Sequence, residues 1–333
     1  MARQMSIPRT RILGTGRYLP EEVVGNEVLA QRLDTTDVWI QEHTGIERRH
    51  VAAKGQVTSD MAAAASRAAL EAAGLTPADL DMIIVATTSG DSPMPATAVN
   101  VQQKIGADLI PSFDLAASFA GFLYALTVAD QFISAGTYGT ILVVGADMMT
   151  RLVNPDDRAT APLFGDGAGA VVLGPAQSDG RGILSARIHA DGALGDLLKV
   201  PAGGSAEPLS AEALAANRHR LQMKGRELFQ VSVKHLTSYS MQALKAAGLT
   251  SAELDWVIPH QANRNIVNLI SQRLGYPRHK FVEDLAETGN TGAASIPIAL
   301  DGAVRDGRVQ RGQTVLMCAL GAGVTWGAAM VRM

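Results

Sequence analysis

The sequence is poor in cysteine, in aromatic residues (5%) and in net charge. Its one cysteine, Cys318, cannot form a disulfide within the chain, which fits a reducing, cytoplasmic setting. A lone thiol also leaves no Cys/His ligand set, so no metal is expected. The 29 basic and 32 acidic side chains give a net charge of −3, which offers no global attraction for nucleic acid. No run approaches the roughly 20 apolar residues of a membrane helix. The opening "MARQMSIPRTRILGTG" lacks the apolar core of a secretory signal. These absences point to a soluble cytoplasmic protein.

What is present suits a large core. Apolar residues make up 47% of the 333 residues and charged ones 18%. Short apolar runs predict strands at 82–88, 141–147, 170–174, 256–260, 314–320 and 328–333. Longer segments predict helices at 59–74, 122–136, 229–248 and 295–307. The alternation of the two argues an α/β fold.

The chain also repeats itself. "AAGLTPADLDMII" from Ala72 returns as "AAGLTSAELDWVI" from Ala246, and "DLAAS" from Asp114 returns as "DLAET" from Asp284. The order is kept and the offsets nearly agree, as in a duplicated fold. Two similar halves would pack about a pseudo-twofold axis, with matching strand-to-helix corners facing each other. So "DLAASFAGF" (114–122) is expected to face "DLAETGNTGAAS" (284–295).

Several residues invite chemistry. The first corner resembles the sharp turn on which enzymes mount a nucleophile, yet it carries Ser118 and then Phe119. His260 ends a predicted strand in "VIPHQANRNI", where a pocket residue and a buried structural histidine are both plausible. Asn290 lies between Gly289 and Gly292 and suits a turn as well as a site. "ALGAGVTWG" (319–327) lets backbone approach a ligand and present N–H donors. "FGDGAGA" (164–170) has the look of a dinucleotide loop, but it precedes a strand and opens no helix, which excludes that role. Arg48, Arg49, Arg158, Arg218, Arg220, Lys224 and Arg226 could form a face for an acidic or phosphorylated partner.

Taken together, "IPHQAN", "GNTGAAS", "FGDGAGA", "HADG", "VWIQEHTGIERRH" and "TWGAAMVR" resemble, in order and over essentially the whole chain, the ketoacyl-ACP synthase III family of the thiolase superfamily. The resemblance implies a duplicated five-layer αβαβα thiolase-like fold, with halves at 1–176 and 177–333, and a homodimer. It implies a decarboxylating condensation of an acyl-CoA with malonyl-ACP. Both are substrates, no cofactor is needed, and acyl carrier protein is the partner. It further implies hydrogen-bond donation to the substrate oxygen by His260 and Asn290, and an oxyanion site from the backbone of Phe119 and Ala322. Trp39 and Arg158 would sandwich the CoA adenine, with His43 where the family often has Arg. Gly225, Phe229 and Asn263 would line the pantetheine tunnel, and Arg264, Lys224 and Arg226 would dock the carrier protein. Met94 would reach the neighbouring subunit's acyl pocket.

One position departs from the pattern. The family's nucleophilic Cys falls where this chain has Phe119. A thiolate attacks thioesters; a phenyl ring cannot. Ser118 is one residue away and aimed differently, and Cys318 matches no catalytic position. Three readings follow: a synthase with a substituted active site; a member with altered chemistry, by malonyl decarboxylation or acyl transfer on Ser118; or a non-catalytic partner subunit.

Overall fold

The computed structural model describes residues 9–333; the first eight residues of the N-terminal stretch read above lie outside it. Two sheets organise the chain. The first has five strands in the order Thr10–Tyr18, Asp166–Pro175, Ile141–Met148, Met82–Ala86, Ser112–Leu115. The second has four, in the order Gly182–Ala190, Thr325–Arg332, Thr314–Gly321, Trp256–Pro259 when read the same way. In each sheet the first two pairings are antiparallel and the next is parallel. The fifth strand has no full counterpart. A single parallel bridge, Val257 with Phe281, stands in its place.

Strand periodicity builds the layers, because successive side chains point to opposite faces. In the strand Met82–Ala86, Met82, Ile84 and Ala86 face a central cluster, while Ile83 and Val85 face an outer one. The central cluster holds the helices Gly121–Ser134 and Ser295–Arg305 between the sheets. Thr58–Ala73 and Thr97–Ile105 cover the outer face of the first sheet. Gly225–Ala246 and Arg264–Leu274 cover that of the second. The result is the five-layer αβαβα thiolase-like arrangement. Both faces of each sheet are covered, so its strands read as continuous apolar runs.

The predicted elements fall where expected, with ends that shift by a few residues in either direction. The run at 170–174 is the end of a longer strand from Asp166, and that at 328–333 belongs to Thr325–Arg332. The sequence reading missed the strands Thr10–Tyr18 and Gly182–Ala190, whose burial is uneven along their length. Among the described residues, no helix is long and apolar enough to cross a membrane, and no cluster of His, Cys, Asp or Glu could hold a metal.

Candidate active site

The two corners meet between the central helices. The strand Ser112–Leu115 is half-buried and lies at the edge of its sheet. It leads into a single 3-10 turn, Ser118–Ala120, before the helix Gly121–Ser134. Ser118 adopts φ 49°, a left-handed conformation unusual for a residue with a side chain. Such a twist throws residue 119 inward. Gly321 abuts this turn: a Cβ there would stand 2.5 Å from the Phe119 nitrogen, so only glycine lets the two backbones approach this closely. Thr325 ties the neighbouring loop down, its hydroxyl donating to the carbonyls of Ala117 (2.8 Å) and Ala322 (3.1 Å).

The second half contributes two polar residues from two separate segments. His260 follows the strand Trp256–Pro259, and its amide donates to the Cys318 carbonyl at 2.7 Å. Its Nδ1 lies 2.6 Å from Ser295 Oγ, and its Nε2 is buried without a partner. Burial holds the imidazole pKa down at about 3, so the ring is neutral at ordinary pH. Asn290 is held on both sides of the start of the "FGDG" segment: its backbone N–H donates to Leu163 O (2.8 Å), the residue just before it, and its backbone carbonyl accepts from Gly165 N–H (3.1 Å). That segment thus serves as a clamp and not as a nucleotide loop. Asn290 Oδ1 accepts from Gly292 N–H at 3.0 Å, which turns its NH2 group away from that loop.

One cavity of about 180 Å³ gathers six of the predicted residues. Phe119, His260, Asn290, Gly225, Phe229 and Asn263 all line it. Phe119 is buried and stacks on His260 with ring centroids 5.2 Å apart; Phe164 flanks it at 5.9 Å. Phe119 also lines a second cavity of about 490 Å³, together with Ser118, Thr88, Asp114, Leu198 and Ala322. Phe119 therefore contributes to the walls of both cavities. A groove of about 560 Å³ on the outer helices shares no residue with either.

Other predicted residues are differently placed. Arg158 lies directly on Trp39, 4.4 Å from the ring centre, and His43 stacks on Trp39 at 4.2 Å. The expected adenine slot between Trp39 and Arg158 is closed in this conformation. Asn263 lines the cavity, but its amide is already engaged: Oδ1 caps the helix Arg264–Leu274 and Nδ2 donates to His43 O. Arg264 donates to Gly45 O at 2.9 Å. Lys224 and Arg226 are exposed at the start of the helix Gly225–Ala246. The other basic residues form no common face: Arg49 is buried and donates to Val24 O, Asn26 and Pro162 O, Arg218 pairs with Glu207, and Arg48 with Glu287. Met94 is 82% exposed. Cys318 is fully buried, with burial pushing its thiol up to about 11, which makes it core and not nucleophile.

The sequence reading missed two polar residues here. Ser295 stands in the "GNTGAAS" motif that was read only for its Asn. Asp147 ends the apolar strand Ile141–Met148, and a charge on a buried strand was its only signal. Its carboxylate is buried and accepts from the amides of Thr88 (2.7 Å) and Ala293 (2.8 Å), joining the two halves behind the site.

Known proteins share this construction. The model of the 3-oxoacyl-[acyl-carrier-protein] synthase III family matches residues 113–192, and that of the family's C-terminal part matches 244–333. The beta-ketoacyl-[acyl-carrier-protein] synthase III of Methylococcus capsulatus is 48% identical, over 97% of this chain and 98% of its own length. That of Shewanella oneidensis is 47% identical, over 97% and 99%. The crystal structure of 3-oxoacyl-[acyl-carrier-protein] synthase III from Aquifex aeolicus superposes with a TM-score of 0.91 at 41% identity, covering 97% of this chain and all of that one. A fold, a pair of facing corners and full-length identity of this order agree: the chain belongs to the 3-oxoacyl-[acyl-carrier-protein] synthase III family.

Proposed function

We propose that this chain has the binding and decarboxylation apparatus of a beta-ketoacyl-ACP synthase III but cannot take an acyl group from acyl-CoA, because Phe119 occupies the nucleophile position. The observation that carries the reading is the phenyl ring itself: it stacks on His260 and lines both cavities at the corner where the strained Ser118 aims residue 119 inward. In the parent reaction, a thiolate there would attack the acyl thioester, with the Phe119 and Ala322 amides facing the oxyanion. Phenyl has no lone pair to offer, and it lies against the space a bound acyl chain would enter. Cargo would arrive on acyl carrier protein docked at Lys224, Arg226 and Arg264, with Met94 completing the acyl cavity of a second copy in a homodimer.

The test is Phe119→Cys. That variant is expected to form a stable acyl adduct of the added acyl mass on intact-protein mass spectrometry, and to condense acyl-CoA with malonyl-ACP. The chain with Phe119 should do neither. A variant that acylates but never condenses would overturn the reading, and an acyl adduct on Ser118 of the parent chain would overturn the role given to Phe119.

A second reading is favoured by the intact donors. Loss of CO2 from a malonyl thioester leaves an enolate oxygen, which His260 and Asn290 would stabilise; a solvent proton then converts the enolate to the acetyl thioester. No nucleophile is required. Release of CO2 from malonyl-ACP by the unmodified chain tests it.

A further inference from the structure

We propose that Ser295 is a positioning residue that holds His260 in the tautomer carrying its proton on Nε2, so that the imidazole presents an N–H to the cavity. The inference deepens the proposed function, which needs a donor at that atom, but its test reads the ring itself and not turnover.

The argument is a count of protons. Ser295 begins the helix Ser295–Arg305, and its hydroxyl is buried. Two groups approach its oxygen: His260 Nδ1 at 2.6 Å and the Gln261 amide at 3.4 Å. The Gln261 N–H can only donate. A serine hydroxyl has one proton to give and two lone pairs to offer. If Nδ1 carried the imidazole proton, Ser295 would receive two donors, and its own proton would point into protein with no acceptor. A buried donor left unpaired is costly enough to disfavour that arrangement roughly tenfold or more. If Ser295 donates to Nδ1, the Ser295 and Gln261 protons are both paired, and the one donor left open is the Nε2–H of a ring that lines the cavity, against two open groups (the Ser295 O–H and the Nε2 lone pair) in the other tautomer. The ring proton then sits on Nε2, the atom that is buried and unpartnered beside Phe119.

The neutrality of the ring supports the same picture, since a doubly protonated imidazole would make the question void. The placement has a second consequence. Gly292 orients the Asn290 amide from within the turn that precedes the helix, and Ser295 orients His260 from its first residue. Both donors are therefore referenced to one short segment, and movement of that segment would carry them together.

The experiment labels the full chain with 13C- and 15N-histidine and reads the ring shifts, which separate the two neutral tautomers. The chain has seven histidines, so His260→Asn identifies the signal by its loss. At neutral pH we expect His260 to be about 90% or more in the Nε2–H form. Ser295→Ala should give a mixture, and Ser295→Thr, which keeps the hydroxyl, should restore the single form. The other six histidines report whether the variant is folded. An Nδ1–H ring in the unmodified chain overturns the proposal, whatever becomes of the variants. So does a folded Ser295→Ala chain with unaltered His260 shifts. A shifted tautomer in a chain that never releases CO2 would sink the decarboxylation reading and leave this one standing.

Discussion

The repeated motif begins with aspartate in both halves, and the two aspartates have opposite surroundings. Asp114 lies in an edge strand, and its carboxylate accepts from the amides of Thr97 (2.6 Å) and Ala98 (2.8 Å), at the start of the neighbouring helix. Asp284 lies where the fifth strand of the second sheet is reduced to one bridge. Both of its carboxylate oxygens are buried and unpartnered, and this burial raises its pKa to about 7. The site residues differ in the same sense. The first half supplies an apolar ring, Phe119, which lines two cavities; the second supplies Asn290 from the corner after Asp284 and His260 from the end of the strand Trp256–Pro259, each held by a hydrogen bond of its side chain. A duplicated frame thus leaves local chemistry free to diverge, because the backbone bonds define the frame while side chains alone decide what each corner does.

The largest effect should come from stripping the polar corner. His260→Ala and Asn290→Ala are each expected to lower malonyl decarboxylation by about 100- to 1,000-fold, the usual result of losing one oxyanion donor. Stopped-time assays of CO2 release measure it. A change under about threefold in both variants would show that the apolar corner, or neither, controls the reaction.

A smaller effect is expected where the corners are tied together. Asp147→Ala would leave the Thr88 and Ala293 amides without their acceptor in the interior. We expect a loss of about 3 kcal/mol in urea unfolding. An unchanged midpoint would mean that the two halves do not depend on this link.

The smallest effect sharpens the contrast between the aspartates. Asp284 is held protonated in the fold by burial, near Arg17, Arg308 and Glu283, while its unfolded value is about 3.8. Between about 4 and 7 the folded chain keeps a proton that the unfolded chain has released. Stability from this group is therefore lost as pH rises through that window and is highest in acid. Asp284→Asn should match the parent near pH 4 and exceed it near pH 8 in urea midpoint. A constant difference across pH would show that Asp284 is ionised in the folded chain.

Much of this was legible in the sequence because it follows from periodicity. The runs at 82–88 and 141–147 are buried on both faces and read as strands; the repeat at Ala72 and Ala246 exposed the duplication. The facing of Asn290 and residue 119 followed from that symmetry. Elements with mixed burial were invisible, as for Thr10–Tyr18, since a strand half open to neighbours shows neither clean alternation nor a continuous apolar run. The basic residues do not all join one face because charge along a chain says nothing about pairing: Arg218 is taken by Glu207, eleven residues before it, and Arg48 by Glu287, while Lys224 and Arg226 stay exposed.

The sequence by itself determined the family frame and the departure from it, because motif order and the identity of residue 119 are written along the chain. Only the tertiary structure decided what that residue does to its surroundings. Phe119 lines two cavities only because the fold brings both to its corner, and the His260 Nδ1 meets a serine hydroxyl 35 residues away only because the fold brings Ser295 to it. Such contacts depend on distance and direction in space, which no linear spacing records.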